Sequence, residues 1–254
     1  MIRKFLFNIG FVGAVLVFIL AVVSGVAPQA RAPVELKTLS LGIVSETHQK
    51  EIEEHFRDFV RYVTRKLSSG TEIEGKVLIA STPLDLAKLL EQRKVDFYME
   101  SAYPTYVINF THGAGKLLLR RWKSGMADYH SVIFTRRDSG MKRLEDLKGK
   151  TIVFEDAGST SGYLLPKLFL QRRGLKLTEK SRFDGDHAAT GIGYVFAGSQ
   201  EKLVDAVLTK QAAAGAFSDD DFSGLEEKKR ADIAILAQTE RIPRHLLSVR
   251  SRLS

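Results

Sequence analysis

Five consecutive small residues, Gly158 to Gly162 with the sequence Gly-Ser-Thr-Ser-Gly, stand where a predicted strand gives way to a predicted helix. The run offers three hydroxyl groups and several backbone amides that have no helical carbonyl to bond. These donors and the positive end of the helix dipole favour negatively charged oxygen at one point. The run therefore predicts an oxyanion-binding loop, and an ordinary serine-rich helix N-cap is the alternative interpretation.

Other patterns that could carry chemistry are weak. The chain has no cysteine, which excludes disulfides, thiolate metal sites and cysteine nucleophiles. The run 191–193 lacks the third glycine of a dinucleotide fingerprint, and no Gly-x-Ser-x-Gly elbow surrounds a serine. No basic stripe alternates with aromatic residues, as nucleic-acid binding would require. We therefore expect a protein that is not an enzyme and has no cofactor, metal or nucleic-acid partner.

The candidate loop needs a scaffold, and the apolar pattern predicts strands that alternate with amphipathic helices. Thr82 and Pro83 open one of these helices as an N-cap and a first-turn proline. This alternation is typical of parallel sheets whose ligands bind beyond the carboxyl ends of strands, so the loops 45–48 and 100–105 are further ligand candidates. The predicted strands cover 39–44, 76–80, 95–99, 131–135, 151–154, 212–217 and 233–237.

The first 32 residues have the pattern of an export signal. Arg3 and Lys4 precede an almost wholly apolar stretch from Ile9 to Val26, which would be roughly 27 Å long as a helix, close to the thickness of a bilayer core. Residues 1–32 are therefore predicted to be a cleaved signal peptide or a membrane anchor through residues 5–26. The charge before the apolar stretch predicts a periplasmic body, either free or anchored to the outer face of the inner membrane.

Length and composition describe an ordinary globular protein. The chain has 254 residues, of which 44% are apolar and 27% charged, and its formal net charge is +8. The part that follows the export pattern is long enough for two lobes of roughly 100 residues each. We expect a monomer.

Three longer stretches carry a family resemblance. The strongest runs from Tyr129 to Leu175 and contains the sequences LEDLKGK and STSGY. Val95 to Val107 (VDFYMESAYPTYV) and Lys210 to Phe222 (KQAAAGAFSDDDF) add to it. Together they resemble the phosphate-, phosphite- and phosphonate-binding proteins of ABC importers, a branch of the periplasmic binding proteins. The resemblance covers most of the chain from Leu36 to Leu247.

The resemblance implies an α/β structure with the two-lobed periplasmic-binding-protein fold (type 2). Each lobe would hold a mainly parallel sheet flanked by helices, and two hinge crossings would join the lobes. Lobe I would cover residues 33–126 and 217–254, and lobe II residues 127–216. The implied function is to capture a small phosphorus oxyanion between the lobes by hinge closure and to present it to an ABC permease. The alternative is a membrane-tethered ligand-sensing domain that serves a sensor kinase.

The resemblance also implies which residues bind the ligand. Ser159, Thr160 and Ser161 correspond to the family's contacts with phosphoryl oxygens. Ser101 and Tyr103 correspond to the contacts from the opposite lobe.

Three further residues complete the predicted site. His187 resembles the family's histidine ligand, and a histidine in the core or on the surface is the alternative. Glu100 and Asp219 would lie near the cleft and repel a fully ionised phosphate. We therefore expect a ligand that carries an ammonium group or a proton of its own, unless Glu100 faces away from the cleft.

Overall fold

The computed structural model of the chain describes residues 37–45, 49–68, 70–123, 125–183 and 191–252. The strands are β1 Lys37–Val44, β2 Ile73–Ala80, β3 Phe97–Glu100, β4 Gly115–Arg121, β5 Asp128–Tyr129, β6 Ser131–Arg136, β7 Thr151–Phe154, β8 Leu177–Glu179, β9 Ile192–Phe196, β10 Ala214–Ser218, β11 Ile233–Gln238, β12 Ile242–Pro243 and β13 His245–Arg250.

Helices connect most of these strands. The α-helices are α1 Gln49–Leu67, α2 Pro83–Glu91, α3 Ala102–Tyr106, α4 Leu165–Gln171, α5 Gln200–Leu208, α6 Asp219–Gly224 and α7 Glu227–Ala231. A π-helical turn, Val107–Thr111, continues α3, and a second one, Thr160–Leu164, leads directly into α4.

Two sheets form the centres of two lobes. The sheet of lobe I has the order β2-β1-β3-β13-β4, in which β1, β2 and β3 are parallel and β13 is antiparallel to both of its neighbours. The sheet of lobe II has the order β11-β6-β10-β7-β9-β8, in which β10, β7, β9 and β8 pair in parallel. The predicted α/β fold class is confirmed, and β4 and β13 are antiparallel strands that the sequence pattern did not predict.

We propose that two crossings, which include the described residues 122–123, 125–130 and 239–244, join the lobes as a hinge. Within them β5 pairs with β12 in an antiparallel ribbon, and the amide of Arg244 donates to the carbonyl of Ala127 at 2.9 Å. Trp122, the single tryptophan of the chain, begins the first crossing and is 64% exposed.

The strand pairing favours a second crossing later in the chain than the sequence-based boundary between residues 216 and 217. Both β10 and β11 hydrogen bond to β6 in the sheet of lobe II. The chain stays with lobe II through β11, because that strand covers the outer edge of β6. We therefore propose that the described residues within 37–121 and 245–252 form lobe I, and that those within 131–238 form lobe II.

Helices cover each sheet on both faces. In lobe I, α1 packs Val60 against Leu41, and α2 packs Leu86 and Leu90 on the opposite face. Burial on both faces explains why the central strands of the two lobes are almost continuously apolar. The predicted start of α2 is confirmed, since Thr82 is its N-cap and accepts a hydrogen bond from the amide of Asp85 at 3.1 Å.

None of the helices in the described ranges is long and apolar enough to cross a bilayer. The predicted signal peptide or anchor at 1–32 lies outside the described residues.

Candidate functional site

The loop 158–162 follows β7 at its carboxyl end and opens the helical segment that contains α4. Asp156 Oδ1 accepts a hydrogen bond from the amide of Gly158 at 2.7 Å, and Ser159 Oγ accepts one from the amide of Gly162 at 2.9 Å. Among the described residues, the amides of Thr160 and Ser161 have no hydrogen-bond acceptor. Ser159 is therefore an ordinary N-cap, and two amides of the loop keep their capacity to bind an anion.

Thr160 joins the two lobes. Its Oγ1 donates to Ser101 Oγ at 2.8 Å and accepts from the amide of Tyr103 at 2.9 Å. Three of the sequence-predicted site residues thus meet across the cleft, just after β3 and at the start of the π-helical turn before α4. An oxyanion that used these groups would replace their mutual hydrogen bonds.

Ser161 is buried beside Thr160. Its carbonyl accepts a hydrogen bond from Ser131 Oγ at 2.6 Å, which ties the loop to the start of β6. This bond holds the loop against the start of β6 in the sheet of lobe II.

Glu100, the last residue of β3, is buried and only 8% exposed. Its carboxylate accepts a hydrogen bond from the amide of Val44 at 2.6 Å, at the carboxyl end of β1. Burial raises the pKa of Glu100 to about 8, against the opposing effect of backbone hydrogen bonds from Val44 and Ser101. The charge of Asp156, in lobe II, raises it further. Glu100 is therefore a buried carboxyl group at the ends of β1 and β3 whose ionisation is disfavoured.

Two carboxyl groups that the sequence analysis did not select face the same loop. Glu155 accepts a hydrogen bond from Ser159 Oγ at 2.9 Å, and burial raises the pKa of Glu155 to about 7. Burial also raises the pKa of Asp156, although hydrogen bonds from the amides of Gly158 and Ser159 oppose this effect. Their position directly after β7, where ligand loops begin in parallel sheets, was the signal that could have identified them.

A cavity of about 940 Å³ lies between the lobes beside this loop. Its only lysine among the lining residues, Lys229, is paired with Asp205 at 3.1 Å, so the cavity wall is acidic. The polar and charged lining residues are Ser45, Ser81, Thr82, Tyr103, Glu155, Asp156, Ser199, Gln200, Glu201, Glu226 and Lys229.

The hinge contributes two further residues that the sequence analysis did not select. Tyr129 on β5 is 4% exposed, and burial raises its pKa to about 12, opposed by the hydroxyls of Thr160 and Ser161. Arg244 is 2% exposed, its Cζ lies 5.0 Å from the centre of the Tyr129 ring, and it forms an ion pair with Asp220. The phenol therefore connects a buried cation with the hydroxyls of the loop.

The structure describes only one of the two remaining predicted site residues. Asp219, at the start of α6, has its Oδ2 3.1 Å from Nδ1 of His130 and 3.5 Å from Nη1 of Arg241. These contacts join Asp219 to the hinge rather than to the loop 158–162. His187 lies in 184–190, outside the described residues. In the part of the chain that the structure describes, no cluster of histidine and carboxylate side chains is arranged to hold a metal ion.

Comparison with known proteins gives a family and a fold. Residues 41–254 match the family described as "ABC transporter, phosphonate, periplasmic substrate-binding protein". XAC2383 from Xanthomonas citri bound to ATP is similar with a TM-score of 0.78 and 27% identity, over 86% of this chain and 78% of that one. PhnD1 from Prochlorococcus marinus in complex with methylphosphonate has a TM-score of 0.65 at 15% identity, over 85% of this chain and 77% of that one. At the latter identity the likeness concerns the fold.

One similar protein belongs to a signalling system. The tetrathionate sensor histidine kinase TtrS of Salmonella typhimurium is 30% identical over 147 residues, which are 55% of this chain and 24% of TtrS. The chain therefore spans about a quarter of the length of this relative.

Proposed function

Because the chain belongs to the family of periplasmic substrate-binding proteins of phosphonate ABC transporters, we propose that it captures a small phosphorus oxyanion between its lobes and delivers it to an ABC permease. The observation that carries this proposal is the meeting of Thr160 in lobe II with Ser101 and Tyr103 in lobe I. Donors from both lobes at one point suit a ligand that is gripped by hinge closure. Proteins of this family bind a solute in the periplasm, and we propose no catalytic step.

The proposed contacts are hydrogen bonds to the negative oxygens. The amides of Thr160 and Ser161 and the hydroxyls of Ser101, Thr160 and Ser161 would donate them, with the amide of Tyr103. Hydrogen bonds to a charged partner contribute about 1.5–3 kcal/mol each, so four to six of them give roughly 6–18 kcal/mol before the costs of association. Those costs are about 4–15 kcal/mol, so the difference includes a net gain of about 8 kcal/mol, which corresponds to a micromolar dissociation constant. Ser159 acts mainly by holding the loop.

The carboxyl groups around the loop narrow the class of ligand. Glu100, Glu155 and Asp156 would repel a dianion unless they keep their protons or meet a positive charge. We therefore propose either an aminoalkyl phosphonate, whose ammonium group pairs with Glu100, or an oxyanion that shares a proton with this carboxyl. His187 remains in the proposal through the family resemblance alone, and Asp219 is proposed to act on the ligand only through the hinge.

Calorimetry on the full chain tests the ligand class. The panel is phosphate, phosphite, methylphosphonate, 2-aminoethylphosphonate, sulfate and ATP. ATP is included because the XAC2383 structure contains it and the cavity is large enough for a nucleotide. We expect micromolar binding of phosphorus oxyanions, and heat with sulfate alone would contradict the proposal.

Two variants test the site. Thr160→Val should lose most of the affinity, whereas Thr209→Val, at the end of α5 outside the cleft, should bind as the unmodified chain does. Glu100→Gln should weaken 2-aminoethylphosphonate more than phosphate. An equal loss for both ligands would count against pairing of Glu100 with the ammonium group.

The similarity to TtrS favours a second candidate function, a membrane-tethered sensing domain that presents its ligand-bound form to a signalling partner. The ligand site would be the same, and only the partner would differ. N-terminal sequencing of the exported protein separates the two functions. A new N-terminus next to Ala27 or Ala32 would support a diffusible carrier, and an intact N-terminal segment would support a tethered sensor.

A further inference from the structure

Arg244, at the end of the second crossing, is a buried cation whose hydrogen-bonding capacity is only partly used. Its side chain is 2% exposed, and its Nη2 donates to the carboxylate of Asp220. Its Nε and Nη1 have no hydrogen-bond partner within the described ranges. Buried donors are nearly always bonded in folded proteins, and a charged donor that stays unbonded is especially unfavourable. The guanidinium group therefore has two donor atoms that could bond to a further acceptor.

The strand register places Arg244 next to the proposed ligand loops. Leu246 on β13 pairs with Glu100 on β3 in antiparallel orientation. The residues before Leu246 and those after Glu100 therefore leave the sheet at the same end of these two strands. Arg244 and Ser101 therefore lie together at that end. On its other side the guanidinium packs on the ring of Tyr129, whose hydroxyl is close to the hydroxyls of Thr160 and Ser161.

Several cationic side chains lie near Arg244 on the hinge side of the cleft. One carboxylate, Asp220, serves both Arg244 and Lys123, the latter at 3.0 Å. Arg121 on β4 lies opposite His245 on β13 in the strand register. The positive charge of Arg244 acts on Arg121 and lowers its pKa, in addition to the effect of burial. Burial, followed by the charges of Arg121 and Lys123, lowers the pKa of His245 to about 4, which keeps this histidine neutral. Arg244 and Lys123 therefore share the carboxylate of Asp220, which neutralises the buried guanidinium only in part.

Glu155 and Asp156 line the cavity, and the charge of Asp156 acts on the buried Glu100. We infer that the proposed site is polarised, with a cation at the hinge and carboxyl groups toward the cavity. A ligand with an anionic end and a cationic or protonated end fits this field in one orientation only.

We propose that Arg244 is the cationic contact of the bound ligand. Its Nε and Nη1 donate to the same oxyanion that the amides of Thr160 and Ser161 bind, and Asp220 holds the guanidinium in position. The anionic end of the ligand then points to the hinge and its other end to the acidic cavity. This assignment rests on the proposed function and adds to it the residue that selects an ionised oxyanion.

The test compares two buried arginines by calorimetry on the full chain with methylphosphonate. Arg244→Gln should weaken binding by about 10- to 100-fold, as expected for the loss of one or two charge-assisted hydrogen bonds. The matched control is Arg250→Gln, at the far end of β13. Arg250 is also largely buried, pairs with Asp96 at 3.2 Å and has an unpartnered Nε. Its replacement should change the affinity by less than about 3-fold.

A second variant covers the case in which Arg244→Gln does not fold. Arg244→Lys keeps the charge and loses the planar pair of donors, so its affinity should lie between those of the unmodified chain and Arg244→Gln. The double variant Arg244→Gln/Asp220→Asn removes the charge pair together, and its affinity should be as low as that of Arg244→Gln.

The outcomes separate this inference from the proposed function. If methylphosphonate binds the unmodified chain and folded Arg244 variants equally well, or if Arg250→Gln causes the same loss, the role of Arg244 is wrong and the proposed function stands. If no phosphorus oxyanion in the panel binds the unmodified chain, the proposed function and this inference both fail.

Discussion

Replacement of Glu100 by glutamine should remove a pH-dependent contribution to the stability of the protein. In the folded chain burial raises the pKa of Glu100 from 4.5 to about 8. The unfolded chain releases this proton near its ordinary pKa, so between those two values the folded state binds more protons than the unfolded state. Stability from this group is therefore fully present below pH 4.5, decreases as the pH rises, and reaches its lowest level above about pH 8.

The size of the effect follows from the difference between the two pKa values. A change from 4.5 to about 8 corresponds to at most on the order of 5 kcal/mol in the free energy of unfolding. Glutamine still offers an oxygen to the amide of Val44 and does not ionise. The stability of Glu100→Gln relative to the unmodified chain should therefore rise by several kcal/mol between pH 5 and pH 8.5.

Urea unfolding followed by far-UV circular dichroism measures this difference at several pH values and constant ionic strength. Glu155 and Asp156 are present in both proteins, so the difference between the proteins reports the replaced carboxyl group together with its electrostatic coupling to Asp156. The control is Glu91→Gln, an exposed position at the end of α2, whose stability should follow that of the unmodified chain. A difference between Glu100→Gln and the unmodified chain that stays constant over this pH range would contradict a raised pKa of Glu100 in the folded state.

Three further substitutions probe other contacts. Thr160→Val removes both hydrogen bonds across the cleft, which weakens lobe closure by about 1–3 kcal/mol. Small-angle scattering should then show a larger radius of gyration. An unchanged scattering profile would be inconsistent with a role of Thr160 in holding the lobes together. Gly162→Ala would bring a methyl group to 2.7 Å from Cβ of Glu155. We therefore expect a loss of about 1–3 kcal/mol in the free energy of unfolding. An unaltered melting temperature would argue against this crowding. Thr82→Ala removes the acceptor for the amide of Asp85 and should cost about 1 kcal/mol in urea unfolding; equal midpoints would show that the cap contributes little.

Local sequence patterns predicted the parts of the fold that depend on neighbours in the chain. The apolar run before Glu155 became β7, because a strand buried on both faces needs apolar residues throughout. Thr82 and Pro83 set the start of α2 through the geometry of the first helical turn. The loop 158–162 lies after a strand and before a helix, as its residue types predict.

The positions of Arg244 and Tyr129 in the site depend on pairing between strands that are far apart in the chain, which the sequence pattern did not predict. β13 inserts between β3 and β4, and this register brings Arg244 to the end of β3, although more than a hundred residues separate them. Tyr129 joins the site because β5 pairs with β12, a ribbon too short to leave a periodic signal. The raised pKa of Glu100 depends on its burial and on the charge of Asp156, which lies 56 residues later, and no local pattern encodes either cause.

The position of Trp122 gives the protein a built-in optical reporter of its hinge. The indole stands at the point where the first crossing leaves β4, and it is the single tryptophan in 254 residues. Its emission therefore comes from one place, and a rotation of the crossings that changes its exposure to water will shift the wavelength of that emission. Opening and closing of the cleft can be followed in the native chain, without an attached dye, on the time scale of a stopped-flow experiment.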